Sequence, residues 1–157
     1  PAIAANVGSV PVPKRGRFEP RRSVPDAELL DLYRAADLFV LAPFEHADAL
    51  GRSVEGFGIV FLEAAACELP VVATESGGVP DAVADGETGV LVAPRDPAAL
   101  ARAIAALLDD PVRRRRLGAA GRARAVADFS HEALARRLVA DEAAPGAAAG
   151  ERGDGSA

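Results

Sequence analysis

The sequence predicts an α/β fold: a parallel sheet with helices on both faces. Three observations point there. Short continuous apolar runs, Leu38-Phe39-Val40-Leu41, Pro70-Val71-Val72-Ala73-Thr74 and Gly89-Val90-Leu91-Val92, alternate with stretches of helical period. Runs without polar alternation suit strands buried on both faces. Aromatic residues make up only 4% of the chain, with no Trp and no Met, so small and aliphatic side chains must fill thin, closely packed layers.

The elements follow in order. Residues 1–22 read as irregular, because the prolines of Val10-Pro11-Val12-Pro13 block both helix and central strand. Lys14-Arg15-Gly16-Arg17 and Arg21-Arg22 make this the most basic part of the chain, and it reads as solvated. A helix should begin near Ser23-Val24-Pro25-Asp26, with Ser23 or Asp26 as cap and Pro25 in the first turn. Leu29, Leu32, Tyr33 and Ala36 recur on it at helical spacing. The first strand ends at Pro43, and a polar loop runs from Glu45 to Gly56. Gly58 to Ala66 reads as an apolar helix, followed by the second strand and the turn Glu75-Ser76-Gly77-Gly78. Pro80 to Ala84 makes a short helix that Asp85-Gly86 ends. After the third strand, Asp96 caps a helix with Pro97 at its first position and a stripe of Leu100, Ile104, Leu107 and Leu108. Pro111 opens another, whose Arg113–Arg116 run reads as a solvated face. Ser130 caps a last helix carrying Leu134 and Leu138. From residue 141 onward Ala, Gly, Glu, Asp and Ser dominate without period, which predicts a disordered tail. The expected layout is an irregular segment over 1–22, one domain over 23–140 and a tail over 141–157.

Composition bounds the function. The chain has 157 residues, 50% of them hydrophobic and 26% charged, which supports one globular core. Cys67 is the single cysteine, which excludes an internal disulfide and a Cys-based zinc site. A net charge of −5 argues against nucleic acid as a partner. No apolar run approaches the roughly 20 residues needed to cross a bilayer, and the first residues lack a positive n-region. A cytoplasmic protein is the expectation. A large two-domain enzyme is not expected to be complete in this length.

The chemistry concentrates in Glu55-Gly56-Phe57-Gly58-Ile59-Val60-Phe61-Leu62-Glu63. A glycine-bearing turn feeds an apolar helix, whose free N–H groups and positive dipole end favour an anion. Gly56 and Gly58 allow close approach of a ligand to the backbone, and a diphosphate suits such a cradle. Glu55 stands before the helix and Glu63 about a turn and a half into it. The two carboxylates can therefore flank a diphosphate and accept hydrogen bonds from sugar hydroxyls on either side. Glu63 is surrounded in sequence by Leu62, Ala64, Ala65 and Ala66, so it needs a partner.

Glu55 and Glu63 match the E-x7-E motif, and the chain here resembles the retaining, nucleotide-sugar-dependent glycosyltransferases of the two-domain GT-B fold. Val24-Pro25-Asp26-Ala27-Glu28-Leu29, Tyr33-Arg34-Ala35-Ala36-Asp37-Leu38, Pro70 to Thr74, Gly77-Gly78-Val79-Pro80 and Asp85-Gly86-Glu87-Thr88-Gly89 stand in that family's order. The resemblance covers about Ser23 to Ser130. The loop Gly51-Arg52-Ser53-Val54-Glu55-Gly56 looks most like the mannosyltransferase-type members that act on lipid or polyprenol acceptors. The resemblance implies a Rossmann-like, carboxy-terminal donor domain that transfers a hexosyl group from a GDP- or UDP-sugar to a hydroxyl acceptor. It implies that Glu55 positions the hexose and that Phe57, Gly58, Ile59 and Val60 hold the diphosphate and sugar. It implies that Glu63 binds the ribose hydroxyls and that Gly77 and Gly78 keep a second loop close. It implies no metal and no other cofactor. An acceptor-binding amino-terminal domain would be the missing partner, and a lipid acceptor would bring peripheral membrane contact.

Departures from the family are equally legible. Lys14 and Arg15 stand in the wrong context for the family's diphosphate-binding Arg and Lys. The region around Arg17-Phe18-Glu19-Pro20 matches the base-binding segment only in part. Glu68 stands where the family prefers Gly, and a left-handed backbone there would cost about 1 kcal/mol. Asp81 replaces the usual Glu. The isolated chain is expected to be inactive, the alternatives being a non-catalytic nucleotide-sugar-binding module or a truncated remnant. His46 reads as a surface residue, His131 as structural and Cys67 as a buried small apolar residue.

Overall fold

The computed structural model describes Arg21 and residues 23–43 and 58–143. The segments around Lys14, His46, Glu55 and Phe57, and the chain beyond Ala143, lie outside the described residues. The elements are α1 (Asp26–Ala35), β1 (Phe39–Leu41), α2 (Ile59–Ala66), β2 (Val71–Thr74), α3 (Val79–Ala82), β3 (Gly89–Val92), α4 (Pro97–Asp109), α5 (Pro111–Phe129) and α6 (His131–Ala143).

The three strands form one parallel sheet in the order β1-β2-β3. Val40, Val72 and Val90 share one register row, and Leu41, Ala73 and Leu91 the next. Successive residues face opposite sides of a strand, so these rows serve opposite layers. Val71, Ala73, Phe39, Leu41 and Leu91 pack with Phe61 and Ala64 of α2 and with Val79 and Ala82 of α3. Val72, Val40 and Val90 pack with Leu100, Ile104 and Leu107 of α4 and with Leu117 of α5. The helices therefore cover both faces, as the apolar runs predict. β2 is buried along its whole length, which explains its lack of polar alternation.

Helix starts follow local chemistry. Asp96 accepts a hydrogen bond from the Ala99 N–H at 2.8 Å, Asp110 from Arg113 at 2.9 Å, and Ser130 from Ala133 at 3.1 Å. Pro97 and Pro111 occupy first-turn positions, where a missing donor costs nothing. α1 differs from expectation. Pro25 itself is the N-cap, in extended conformation, and no side chain closes the helix. The short helix also differs, running from Val79 to Ala82 and not from Pro80 to Ala84. The Thr88 hydroxyl accepts from the Ala84 N–H at 2.9 Å, which takes that donor away from the helix. α6 continues to Ala143, into the segment expected to lack period.

The arginines of α5 are the largest departure from the sequence reading. Arg114 donates to the carbonyls of Leu107 at 2.7 Å and Leu108 at 2.6 Å, in the last turn of α4. Arg116 reaches the Gly86 carbonyl at 3.3 Å. Farther along, Arg122 bonds the carbonyl of Ala66, the last residue of α2. Arg124 bonds those of Asp81 at 2.9 Å and Ala82 at 3.1 Å, at the end of α3. Helix C termini leave carbonyls without partners and carry partial negative charge, so cations suit them. Arg114 and Arg116 are thus tied to other elements and do not form a freely solvated face.

α5 lies across the edge where the strands begin. Gly118 sits against the backbone of Glu68, just before β2, and Gly121 against Ala65 and the carbonyl of Thr88. A Cβ on Gly118 would overlap the Glu68 carbonyl and stand 2.8 Å from its carbon. Glu68 does adopt the left-handed conformation, with φ 60°. Cys67 is only partly buried, because it caps the end of α2 beside a groove of about 340 Å³ that Leu30, Arg34 and Arg122 also line. Replacing Gly118 with Ala should cost about 2–3 kcal/mol, since backbone must move against backbone. Gly86→Ala, at φ 72° but with open space around it, should cost only about 1 kcal/mol. Thermal or urea unfolding of the two variants checks the contrast.

Candidate functional site

The opposite edge, where the strands end, stays free of α5. There the Thr74 hydroxyl donates to the Pro43 carbonyl, tying the end of β2 to the chain leaving β1. The Glu75 N–H donates to the Val92 carbonyl at 2.9 Å, tying it to β3. Loops at this edge of a parallel sheet carry ligands as a rule. α2 and α3 both start from it.

The start of α2 is unusual in its cap. Gly58 is the N-cap residue and is left-handed, with φ 71° and ψ 64°. A Cβ there would lie 2.6 Å from the Cδ2 and Cε2 atoms of Phe61, whose ring is almost wholly buried. Only glycine meets both demands. Asp96, Asp110 and Ser130 close α4, α5 and α6, whereas among the described residues no side chain closes α2, whose N-cap is a glycine and whose first turn holds no acidic residue. The first-turn amides of Ile59 and Val60 have no intrahelical acceptor by virtue of position. They sit at the positive end of the helix. Ile59 is 68% exposed at this end.

Glu63 lies farther along the same helix and is exposed, not enclosed by its apolar sequence neighbours. Its predicted partner is present. The Tyr33 hydroxyl donates to Oε2 of Glu63 at 3.0 Å. The Tyr33 ring meets Phe39 at a centroid distance of 5.9 Å, and Phe39 meets Phe61 edge-on at 6.0 Å. Burial is the main cause that pushes the Tyr33 hydroxyl up to about 12. The hydrogen bond to Glu63, the charge of that carboxylate and the nearby Cys67 add to the shift.

The second loop holds Gly77, at φ 53° and exposed, and Gly78, the half-buried N-cap of α3. Between β2 and these glycines Ser76 is 5% exposed, and its Oγ has no hydrogen-bond partner among the described residues. An unsatisfied buried hydroxyl is costly unless something else meets it. The structure thus brings Gly58, Ile59 and Val60 to the same sheet edge as Gly77 and Gly78, with Glu63 down the exposed side of α2. Glu55 and Phe57 lie outside the described residues. Sequence reasoning missed Tyr33 and Ser76 as site residues. Tyr33 stands 30 positions from Glu63, and only the packing of α1 on α2 joins them. His131 is exposed at the start of α6. Among the described residues no group of three or more His, Cys, Asp or Glu is placed to hold a metal ion. No helix among them is long and apolar enough to cross a membrane.

Comparison with known proteins bears on the family and the fold. Residues 21–124 match a family model described as glycosyl transferases group 1. Over 112 residues the chain is 42% identical to a GDP-mannose-dependent monoacylated alpha-(1-6)-phosphatidylinositol monomannoside mannosyltransferase of Corynebacterium glutamicum. That match covers 71% of this chain and 29% of the relative, so the chain spans less than a third of the relative's length. Among solved structures, sucrose-phosphate synthase of Thermosynechococcus elongatus superposes with a TM-score of 0.66 at 35% identity, covering 81% of this chain and 30% of that one. Anabaena HepE, solved in complex with UDP, gives 0.62 at 25% identity, over 81% and 32%.

The Tyr33–Glu63 pair predicts an alkaline signature. A folded-state value near 12, above the ordinary 10.0, means that the native state keeps its proton where the unfolded chain loses it. The contribution is whole below pH 10 and is lost as pH rises toward about 12. Tyr33 is the sole tyrosine, so phenolate absorbance reads it alone. Its ionisation should move down toward 10 in Glu63→Gln, and Tyr33→Phe should lose less stability than wild type over that interval.

Proposed function

Because the chain belongs to the glycosyl transferase group 1 family, we propose that it forms the donor-binding part of a retaining hexosyltransferase. The donor is a nucleoside diphosphate sugar and the acceptor a hydroxyl. One observation carries the reading: α2 begins at a left-handed glycine that has no side chain to cap it, with an exposed carboxylate farther along the same helix.

In this reading the amides of Gly58, Ile59 and Val60 hold the diphosphate. The dipole end of a helix contributes typically 0.3–1 kcal/mol toward an anion, and up to about 2 kcal/mol where water is excluded. Charge develops on the leaving diphosphate as the sugar takes oxocarbenium character, so the same amides lower the barrier. Glu63 accepts from the ribose hydroxyls. Glu55 and Phe57, just before the helix, meet the hexose. Gly77 and Gly78 leave room for it, and the unpaired Ser76 hydroxyl is available to it. GDP-mannose is the donor favoured by the mannosyltransferase relative, and its phosphatidylinositol mannoside acceptor suggests a site of action at a membrane surface. Acceptor binding is assigned to a further domain, in keeping with the share of the relative that the chain spans.

Calorimetry with GDP, UDP and ADP tests the reading. Wild type should bind one of the three in preference. Glu63→Ala should weaken that nucleotide about tenfold while leaving inorganic pyrophosphate unchanged, as expected for a lost hydrogen bond to a charged group. No binding of any nucleotide would sink the proposal. Ser76→Ala should leave stability equal or higher, since it removes an unsatisfied hydroxyl, while weakening the nucleotide sugar relative to the nucleotide. The 157-residue chain alone should show no turnover with GDP-mannose and simple alcohol acceptors. Measurable transfer would overturn the assignment of acceptor binding elsewhere.

A further inference from the structure

The exposed position of Glu63 raises a question of order. A glutamate on a helix surface samples many rotamers, and fixing a long polar side chain costs about 1.5–2 kcal/mol. A carboxylate that must receive two neighbouring hydroxyls needs one orientation before the ligand arrives. Among the described residues, the hydroxyl of Tyr33 supplies this, 3.0 Å from Glu63.

We infer that Tyr33 is a positioning residue for the nucleotide: it holds Oε2 of Glu63 so that Oε1 is presented to a vicinal diol of the ligand. This rests on the donor-binding reading above. The geometry is one-sided. A phenol donates a single hydrogen bond, and it donates to one oxygen only. The Tyr33 ring cannot follow the carboxylate, because Phe39 holds it and Phe61 in turn holds Phe39. Phe61 is also the side chain that folds back over Gly58. The same aromatic row therefore fixes the start of α2 and the direction of the Glu63 carboxylate. The phosphate end and the sugar end of the site are set by one rigid unit.

A purely structural role, in which the bond ties α1 to α2, makes different predictions. Tyr33→Phe keeps the ring and its packing. Positioning requires that this variant weaken the preferred member of GDP, UDP and ADP about fivefold to tenfold. It also requires that pyrophosphate binding stay unchanged and that the 2′,3′-dideoxy form of the same nucleotide bind wild type and variant alike. With Glu63→Gln already present, Tyr33→Phe should add little, as expected of two groups acting through one contact. The sole tyrosine provides a second readout if the variant does not fold. Tyrosine emission of wild type should change on adding the nucleotide and stay constant on adding pyrophosphate. Equal nucleotide affinity in wild type and Tyr33→Phe overturns the inference alone, as does an equal loss for pyrophosphate or a tyrosine emission blind to nucleotide. Failure of wild type to bind any nucleotide overturns the donor-binding reading with it.

Discussion

The contact between α5 and the backbone before β2 is the constraint on which the rest depends. Gly118 brings the α5 axis against Glu68, and this close approach puts the arginines of α5 within reach of three helix ends. Each helix end would otherwise expose carbonyls with no partner. A single helix thus closes α2, α3 and α4 together and also joins both layers, with Leu117 in the core on one face and Gly121 against α2 on the other. A left-handed glutamate is tolerated at residue 68 because this arrangement determines the backbone there.

This clasp distinguishes the two ends of the strands. The edge where strands begin is filled by side chains that bond backbone. Among the described residues, the edge where strands end is joined by Thr74 to Pro43 and by Glu75 to Val92, and it holds the amides that begin α2. The packing ties of α5 and the amides that begin α2 therefore stand at opposite ends of the same strands.

The strands and most helix starts were legible because their signals are local. Asp96 before Pro97 and Ser130 before His131 state their caps within a few residues. The apolar run from Gly58 to Ala66 placed Glu63 on the helix that Gly58 begins for the same reason. What stayed hidden was long-range. Nothing near Arg114 in sequence says that a carbonyl from another helix will lie opposite, so the Arg113–Arg116 run reads as solvated. Tyr33 reads as one more apolar contact of α1, since its partner comes from the next helix. The Pro80–Ala84 helix was placed too far along because the Thr88 hydroxyl takes the Ala84 N–H from beyond the helix.

The strand order has a kinetic consequence. β2 meets β3 across a short connection, Val71 to Gly89, whereas β1 meets β2 across a longer one, Phe39 to Val71. Loop-closure entropy rises only slowly with length, and doubling a loop costs about 0.6 kcal/mol. The difference biases the order of events without fixing it. The β2–β3 pair, with α3 between, is the favoured first assembly, and β1 joins it afterward. In that favoured order β1 is the last strand of the sheet to be paired. A chain organised this way favours assembling the half of its sheet that spans α3 before the half that spans α2.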